Sequence, residues 1–561
     1  MIKNSYKTIV SFLFFLFTLF SSYFLGEIFY NSIDGTDFYR YFRYIEYFNG
    51  SIEATSREQG LMYFWYISNF IELSQNYYLP DKWEFIYSSA IQLGNFILYI
   101  FGLLGLYTWL KSKRVDNVSI FLSLSVLNFL PSVFGARLIM KPEMLIFCFM
   151  PWVLISLDNY FNYKNKTSLI FLTPLLSLLV TSKGTIAAIL FFSIVYLYFE
   201  HIKTIKLKEL IAPLSFFVIM TSLLYMENTN INSVSLLSHK ELDQYLFRAP
   251  ISFLYNINFT ELFQDPFRNT HSNSLIGITL IDFFGDYFNR YWDHSRSLFI
   301  KNRTDILNFL PEPRRNISLI FSIVFLICSI FFKKNNIFKK YQKVYLVGTL
   351  LLALTSLGLF GLHFNPDKGD TVKSHYYFYL IAISFLVIFI QYLSDKKFFI
   401  QLISVFLIVS LFLFIFGFPK NIDDEFGNQL QNKLSATVGC KISSVFFDNI
   451  SDRDTTCLNK KIATCGLYEN YNKPKEHQDG YLIFQSDDFF NPLNLIDNSG
   501  YTVTVNGYAE CLNYVDGGYF RNTNIYLEDR TPKFNSYVLF LALVSIAGLS
   551  VVNSRNFKSK L

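Results

Sequence analysis

Lys111-Ser112-Lys113-Arg114 separates two apolar runs, 86–110 and 117–134, and this short basic link decides how the chain is threaded. A connection of this kind between bilayer-length apolar stretches belongs on the cytoplasmic side, where lysine and arginine collect. The same signal recurs at Lys3/Lys7, Lys164/Lys166, Lys203/Lys206/Lys208, Lys333/Lys334/Lys339/Lys340/Lys343, Lys396/Lys397 and Arg555/Lys558/Lys560. With a cytoplasmic N-terminus all seven groups fall on the same side, and the opposite orientation inverts all seven.

Between these links lie about twelve apolar runs, most of bilayer-spanning length: 8–29, 86–110, 117–134, 143–160, 167–181, 184–199, 209–226, 316–332, 344–363, 376–393, 398–418 and 536–552. The expected fold is an α-helical polytopic membrane protein of about 12 transmembrane helices, multi-pass in the cytoplasmic (inner) membrane, with both termini cytoplasmic. Composition agrees, at 52% hydrophobic, 19% aromatic and 16% charged residues, where a soluble chain carries about 25% charged. The net charge of +6 is spread over the short links, which argues against a nucleic-acid partner. No zinc-type Cys/His spacing, phosphate-binding glycine loop or dinucleotide motif is present, and no internal repeat of the transporter kind. A removable signal peptide is disfavoured, because no small-residue cleavage site follows Leu25-Gly26-Glu27.

The remaining connections face outward, and three are long: 30–85, 227–315 and 419–535. Short outward links lie near 135–142, 181–184 and 364–375. The division expected is a module over 1–418, an extracytoplasmic soluble domain over 419–535, and a final helix with its tail over 536–561. Leu61-Met62-Tyr63-Phe64-Trp65-Tyr66-Ile67 and Leu275-Ile276-Gly277-Ile278-Thr279-Leu280-Ile281 are apolar but too short to cross. They suit helices lying in the interface plane, or amphipathic loop helices packed on protein. The 419–535 segment turns polar, with alternating runs such as Tyr501-Thr502-Val503-Thr504-Val505 that read as strands. Cys440, Cys457, Cys465 and Cys511 lie there, whereas Cys148 and Cys328 sit in spans. A small disulfide-containing α/β or β-rich domain is expected, with up to two bridges and no pairing chosen by sequence.

Three outward constellations carry chemistry. The first is Ile33-Asp34-Gly35-Thr36-Asp37-Phe38, just past the first span. Asp34 and Asp37 share a face if the segment is helical, and a carboxylate kept ionised by nearby cations can serve as a general base. The same residues also fit a turn at Asp34-Gly35 and a helix cap at Asp37.

The second is a set of outward basic residues that break the positive-inside pattern. They are Arg137 and Lys141 beside Glu143, Lys183 in Thr181-Ser182-Lys183-Gly184, Arg290 and Arg296, and Lys373 with His375. A lipid-linked phosphate or diphosphate at headgroup level needs such cations to bind it and to stabilise charge on a departing phosphate. Snorkelling toward lipid headgroups explains single residues equally well. The third is Ile281-Asp282-Phe283-Phe284-Gly285-Asp286-Tyr287-Phe288-Asn289-Arg290-Tyr291-Trp292-Asp293-His294, where rings, acids and an arginine offer a sugar site or an anchored interface helix. The histidines lack metal-helix spacing.

On these segments the layout resembles the GT-C superfamily of membrane glycosyltransferases. Its members have many spans, an acidic motif in the first outward loop, basic residues in later outward loops, and often a soluble domain near the C-terminus. The segment around Asp34 and Asp37, the Arg137–Glu143 stretch and the Lys373–Tyr376 stretch look like their counterparts in bacterial members of the dolichyl-phosphate-mannose-type and lipid A-modifying groups. The likeness covers about residues 1–420 as layout and only these short pieces as motif.

The resemblance implies inverting transfer of a hexosyl or pentosyl group from a polyprenyl-phosphate donor to a glycan, lipid or protein acceptor on the outer face of the membrane. Its base is Asp37 or Asp34, since relatives with adjacent acids do not choose between two separated by Gly35 and Thr36. Arg137, Lys141, Glu143, Lys183, Asp286, Arg290, Lys373 and His375 are the residues expected to bind donor phosphate and sugar. No cofactor is implied, with a divalent metal left open. Two other readings remain: an O-antigen or exopolysaccharide polymerase, which Arg57-Glu58-Gln59-Gly60 resembles faintly, and a lipid-linked sugar flippase or transporter. Against transport, the spans hold few ionisable residues.

Overall fold

The computed structural model describes residues 2–29, 60–75, 83–203, 207–231, 249–264, 274–284, 312–332, 336–357, 372–416 and 531–558, with short pieces at 32, 41, 44–45, 47–48, 205, 266, 271, 273, 474–476, 481–484 and 496–497. In chain order the helices are α1 (Ile2–Phe29), α2 (Leu61–Gln75), α3 (Trp83–Ser112), α4 (Asn117–Leu127), α5 (Pro131–Arg137), α6 (Glu143–Tyr163), α7 (Thr167–Ser182) and α8 (Gly184–Ile202). They continue with α9 (Leu207–Ile231), α10 (Phe259–Gln264), α11 (Leu275–Phe284), α12 (Glu312–Phe331), α13 (Tyr345–Ser356), α14 (Phe378–Leu393), α15 (Phe398–Phe416) and α16 (Lys533–Lys558). The protein is an α-helical, multi-pass membrane protein: among the described residues nine helices are long and apolar enough to cross a bilayer.

The other three expected spans are not full-length helices among the described residues, and residues 358–363 of the 344–363 run lie outside them. The 117–134 run is a broken pair, α4 and α5, bent by 62°. Pro131 opens α5 and holds Leu130 in extended backbone, φ −60° and ψ 121°, because the proline ring clashes with a helical predecessor. Asn128 fills the break: its Oδ1 accepts from the Tyr99 hydroxyl and its Nδ2 donates to Thr18 Oγ1, each at 2.9 Å. α7 has 16 residues and α13 has 12, about 24 and 18 Å of helix against a hydrocarbon core of about 30 Å. Twelve full-length crossings are therefore not what the described helices provide.

α6 is the axis of the bundle, with every residue from Glu143 to Phe161 buried. α3, α7, α14 and α16 pack around it. Lipid gives helices no hydrophobic reason to associate, so close backbone approach must do so. Gly102 and Gly105 of α3 supply it. A Cβ on Gly102 would stand 2.6 Å from a Phe147 ring carbon and 2.7 Å from the Phe147 carbonyl oxygen. That carbonyl has lost its helical donor to Pro151. Beside it, Trp152 Nε1 donates to the Phe101 carbonyl at 3.2 Å.

The two short apolar segments of the long loops both fold as helices packed on protein. α11 is buried throughout Gly277–Phe284. α2 packs on α3, with Ile67 beside Gly94, and buries Leu61, Phe64, Ile67 and Ile71. Tyr41 and Tyr44 stack on Phe64 from the other side, with centroids at 5.2 and 4.2 Å.

Within 419–535 three short antiparallel strands, β1 (Pro474–Glu476), β2 (Tyr481–Phe484) and β3 (Ile496–Asp497), pair in sequence order. The expected Tyr501–Val505 strand and the four cysteines of that domain lie outside the described residues. Cys148 and Cys328, placed in spans by sequence, are free thiols.

Candidate functional site

Glu143 is the first residue of α6, directly after Pro142. A carboxylate there faces the positive end of the helix dipole, so α6 itself favours the ionised form. Three links between helices bring basic side chains to it. From the α7–α8 link, Lys183 Nζ donates to Glu143 Oε1 at 2.9 Å. From the turn before α14, His375 Nε2 lies 3.4 Å from the same oxygen. Lys141, two residues before Glu143, is 7% exposed and adds its positive charge to the field at both Glu143 and His375. Lys183 Nζ also sits 4.5 Å above the Tyr376 ring, a cation–π contact that fixes its side chain from a second direction.

Each link is pinned by hydrogen bonds. The stretch before Lys141 is held by Asn95 of α3, whose Nδ2 donates to the carbonyls of Arg137 and Ile139 at 2.9 and 2.8 Å. Tyr63 of α2 donates to Asn95 Oδ1 at 2.8 Å. Burial, first among the causes, pushes the Tyr63 phenol well above its ordinary pKa, so it stays a neutral donor. The α7–α8 link is held by Gly60, whose amide donates to the Ser182 carbonyl at 3.0 Å. A side chain at Gly60 has no room, since a Cβ would come within 2.8 Å of Ser182 Cα. The turn Ser374–Tyr377 is tied to α11 by Ser374 Oγ donating to the Asp282 carbonyl at 2.9 Å.

Of the residues expected from sequence, the structure gathers Lys141, Glu143, Lys183 and His375. Lys373 directly precedes the His375 turn, its carbonyl accepting from the Tyr376 amide at 3.1 Å. Arg137 has different neighbours. Its two terminal nitrogens donate to Ser22 Oγ and to the Ser22 carbonyl of α1, both at 2.9 Å. Tyr99, Phe134 and Phe96 surround the guanidinium carbon at 4.9, 5.2 and 5.7 Å from their ring centroids. These contacts tie the end of α5 to α1. Asp34, Asp37, Asp286, Arg290 and Arg296 lie outside the described residues. Their flanks are placed: the Ser32 amide donates to Ser88 Oγ of α3 at 2.9 Å, and Tyr41 stacks on Phe64, next to Tyr63.

Sequence reading missed Tyr63, Asn95 and Tyr376. Asn95 carried a signal, being an amide inside an apolar span. It also missed Asp158, toward the other end of α6. Asp158 Oδ2 accepts from Trp109 Nε1 at 3.0 Å and pairs with Lys113 at 2.7 Å, and Oδ1 accepts from Tyr198 at 3.1 Å.

Chemically, among the described residues the Glu143 cluster offers two lysine ammoniums, an imidazole and one carboxylate, an excess of donors suited to an anion. Among the described residues no three His, Cys, Asp or Glu side chains gather as a metal-binding group. No protein-family model, curated protein or solved structure matches this chain.

Proposed function

We propose that the protein is a membrane glycosyltransferase, moving a hexosyl or pentosyl group from a polyprenyl-phosphate donor to a glycan, lipid or protein acceptor at the outer face of the cytoplasmic membrane. The observation that carries this reading is the meeting of Lys141, Lys183 and His375 from three separate links at one buried carboxylate. Snorkelling explains a lysine that extends alone toward headgroups, but not one that turns inward to share an acid with a histidine, beside a second buried lysine.

In this reading Lys141 and Lys183, with Lys373 beside them, hold the donor phosphate and stabilise the charge it gains as the glycosidic bond breaks. Arg137 braces the first span and is not assigned to the phosphate. Asp37 or Asp34 takes the proton of the acceptor hydroxyl, and the apolar helices receive the polyprenyl tail. The anchoring of Ser32 on α3 and of Tyr41 on Phe64 supports this role, because both ends of the acid-bearing segment are tied to the helices that carry Asn95 and Tyr63.

The test is to make Asp34→Asn and Asp37→Asn separately in the producing cell and to measure surface glycans and lipid-linked sugar pools. One of the two variants is expected to accumulate lipid-linked sugar and to lose a glycan component. Unchanged glycans and pools in both variants would remove the base and the reading with it.

A further inference from the structure

Glu143 uses one oxygen and leaves the other idle. Oε1 receives Lys183 at 2.9 Å and faces His375 at 3.4 Å. Oε2 is buried and accepts no hydrogen bond, in a residue only 2% exposed. A buried charged acceptor left without a donor costs more than a neutral one, and the large majority of such groups in folded proteins find a partner. The opposite end of the same helix obeys that rule, for both oxygens of Asp158 are engaged.

The identity of the missing partner follows from the neighbours. A phosphate brings only acceptors, so it satisfies the lysines and does nothing for Oε2. A further cation is repelled by Lys141, Lys183 and any proton on His375. What remains is a neutral donor of hydroxyl type, carried by a ligand that also brings the anion. We propose that Glu143 Oε2 accepts a hydrogen bond from a carbohydrate hydroxyl, so that Glu143 separates a sugar-bearing ligand from a bare alkyl phosphate. This rests on the phosphate reading given above. The hydroxyl belongs either to the donor sugar or to an acceptor glycan, which are the same chemistry from two sources.

The experiment uses the full chain in lipid nanodiscs and measures dissociation constants for three probes. These are decyl phosphate, a panel of hexosyl and pentosyl decyl phosphates, and the matching decyl glycosides without phosphate. The native protein is compared with Glu143→Gln and with Glu143→Asp, which keeps the charge but withdraws the oxygen by one methylene. Melting temperature verifies that each variant is folded.

The expected result is that the native protein binds at least one glycosylated probe more tightly than its counterpart lacking the sugar, and that both variants reduce this preference about tenfold. Decyl phosphate itself binds Glu143→Gln at least as well as native protein, since the lysines lose their internal counter-charge. Loss confined to the sugar phosphates assigns the hydroxyl to the donor, and loss confined to the phosphate-free glycosides assigns it to the acceptor. Equal shifts for all probes, unchanged preference in both variants, or no sugar preference in native protein overturns the proposal. Failure of the underlying reading looks different: decyl phosphate then binds Lys141→Met and Lys183→Met as well as it binds the native protein.

Discussion

Near one end of α6, Asp158 meets an indole, a phenol and an ammonium, and Lys113 packs over the rings of Trp109 and Tyr341 at 6.0 and 5.5 Å. At the other end, about 22 Å away along the axis, Glu143 shares one oxygen between Lys183 and His375 and holds the second in reserve. Both carboxylates are buried on one helix and both pair with a lysine. The difference is closure. Asp158 stitches together α3, α6 and α8 with no bond left to offer, whereas Glu143 organises an excess of cations and keeps an acceptor open. Buried charge in a membrane protein is costly, and the two sites differ in how it is met: both oxygens of Asp158 are hydrogen-bonded, whereas only one oxygen of Glu143 is.

The contrast can be broken by mutating each end. Asp158→Ala leaves Lys113, Trp109 Nε1 and the Tyr198 hydroxyl without their acceptor, and should lower unfolding stability by about 3–5 kcal/mol. Lys183→Met should cost less than half as much, because His375 and Lys141 still face Glu143. Comparable losses in a reversible unfolding titration would erase the distinction between the two ends.

A substitution between the ends sharpens the point. Gly102→Val forces a side chain against Phe147 and its carbonyl, an overpacking that should cost about 1–3 kcal/mol. It should weaken α3 packing on α6 and disturb both carboxylates together, read as parallel falls in melting temperature and in decyl phosphate affinity. The smallest effect is expected from Tyr63→Phe, which removes one hydrogen bond to Asn95, worth about 0.5–1.5 kcal/mol. Because Asn95 pins the carbonyls ahead of Lys141, ligand affinity should fall while the Asp158 end is unaffected.

Much of this was legible from residues alone. Apolar runs and basic links gave the helices, because a bilayer imposes a length and a charge rule on any chain that crosses it. Lys141, Lys183 and His375 stood out as basic groups in links expected to face outward, with Glu143 beside Lys141. Their pairing could not be read, since it depends on which links lie side by side, and helix packing decides that through contacts such as Gly102 on Phe147. Where Arg137 lands was equally illegible. Sequence saw a loop arginine, while the bend at Pro131 turns α5 back into the bundle and points the guanidinium at Ser22. Among the described residues, hydropathy did not foresee the break between α4 and α5 or the 16-residue length of α7, and residues 358–363 of the 344–363 run lie outside them.

The most direct measurement is native mass spectrometry of the protein in nanodiscs containing undecaprenyl phosphate, with Lys183→Met and Lys113→Met run beside the native chain. The lipid phosphate should remain bound to native protein and to Lys113→Met and be lost from Lys183→Met. Equal retention in all three, or equal loss from both variants, would contradict a phosphate site at the Glu143 end of α6.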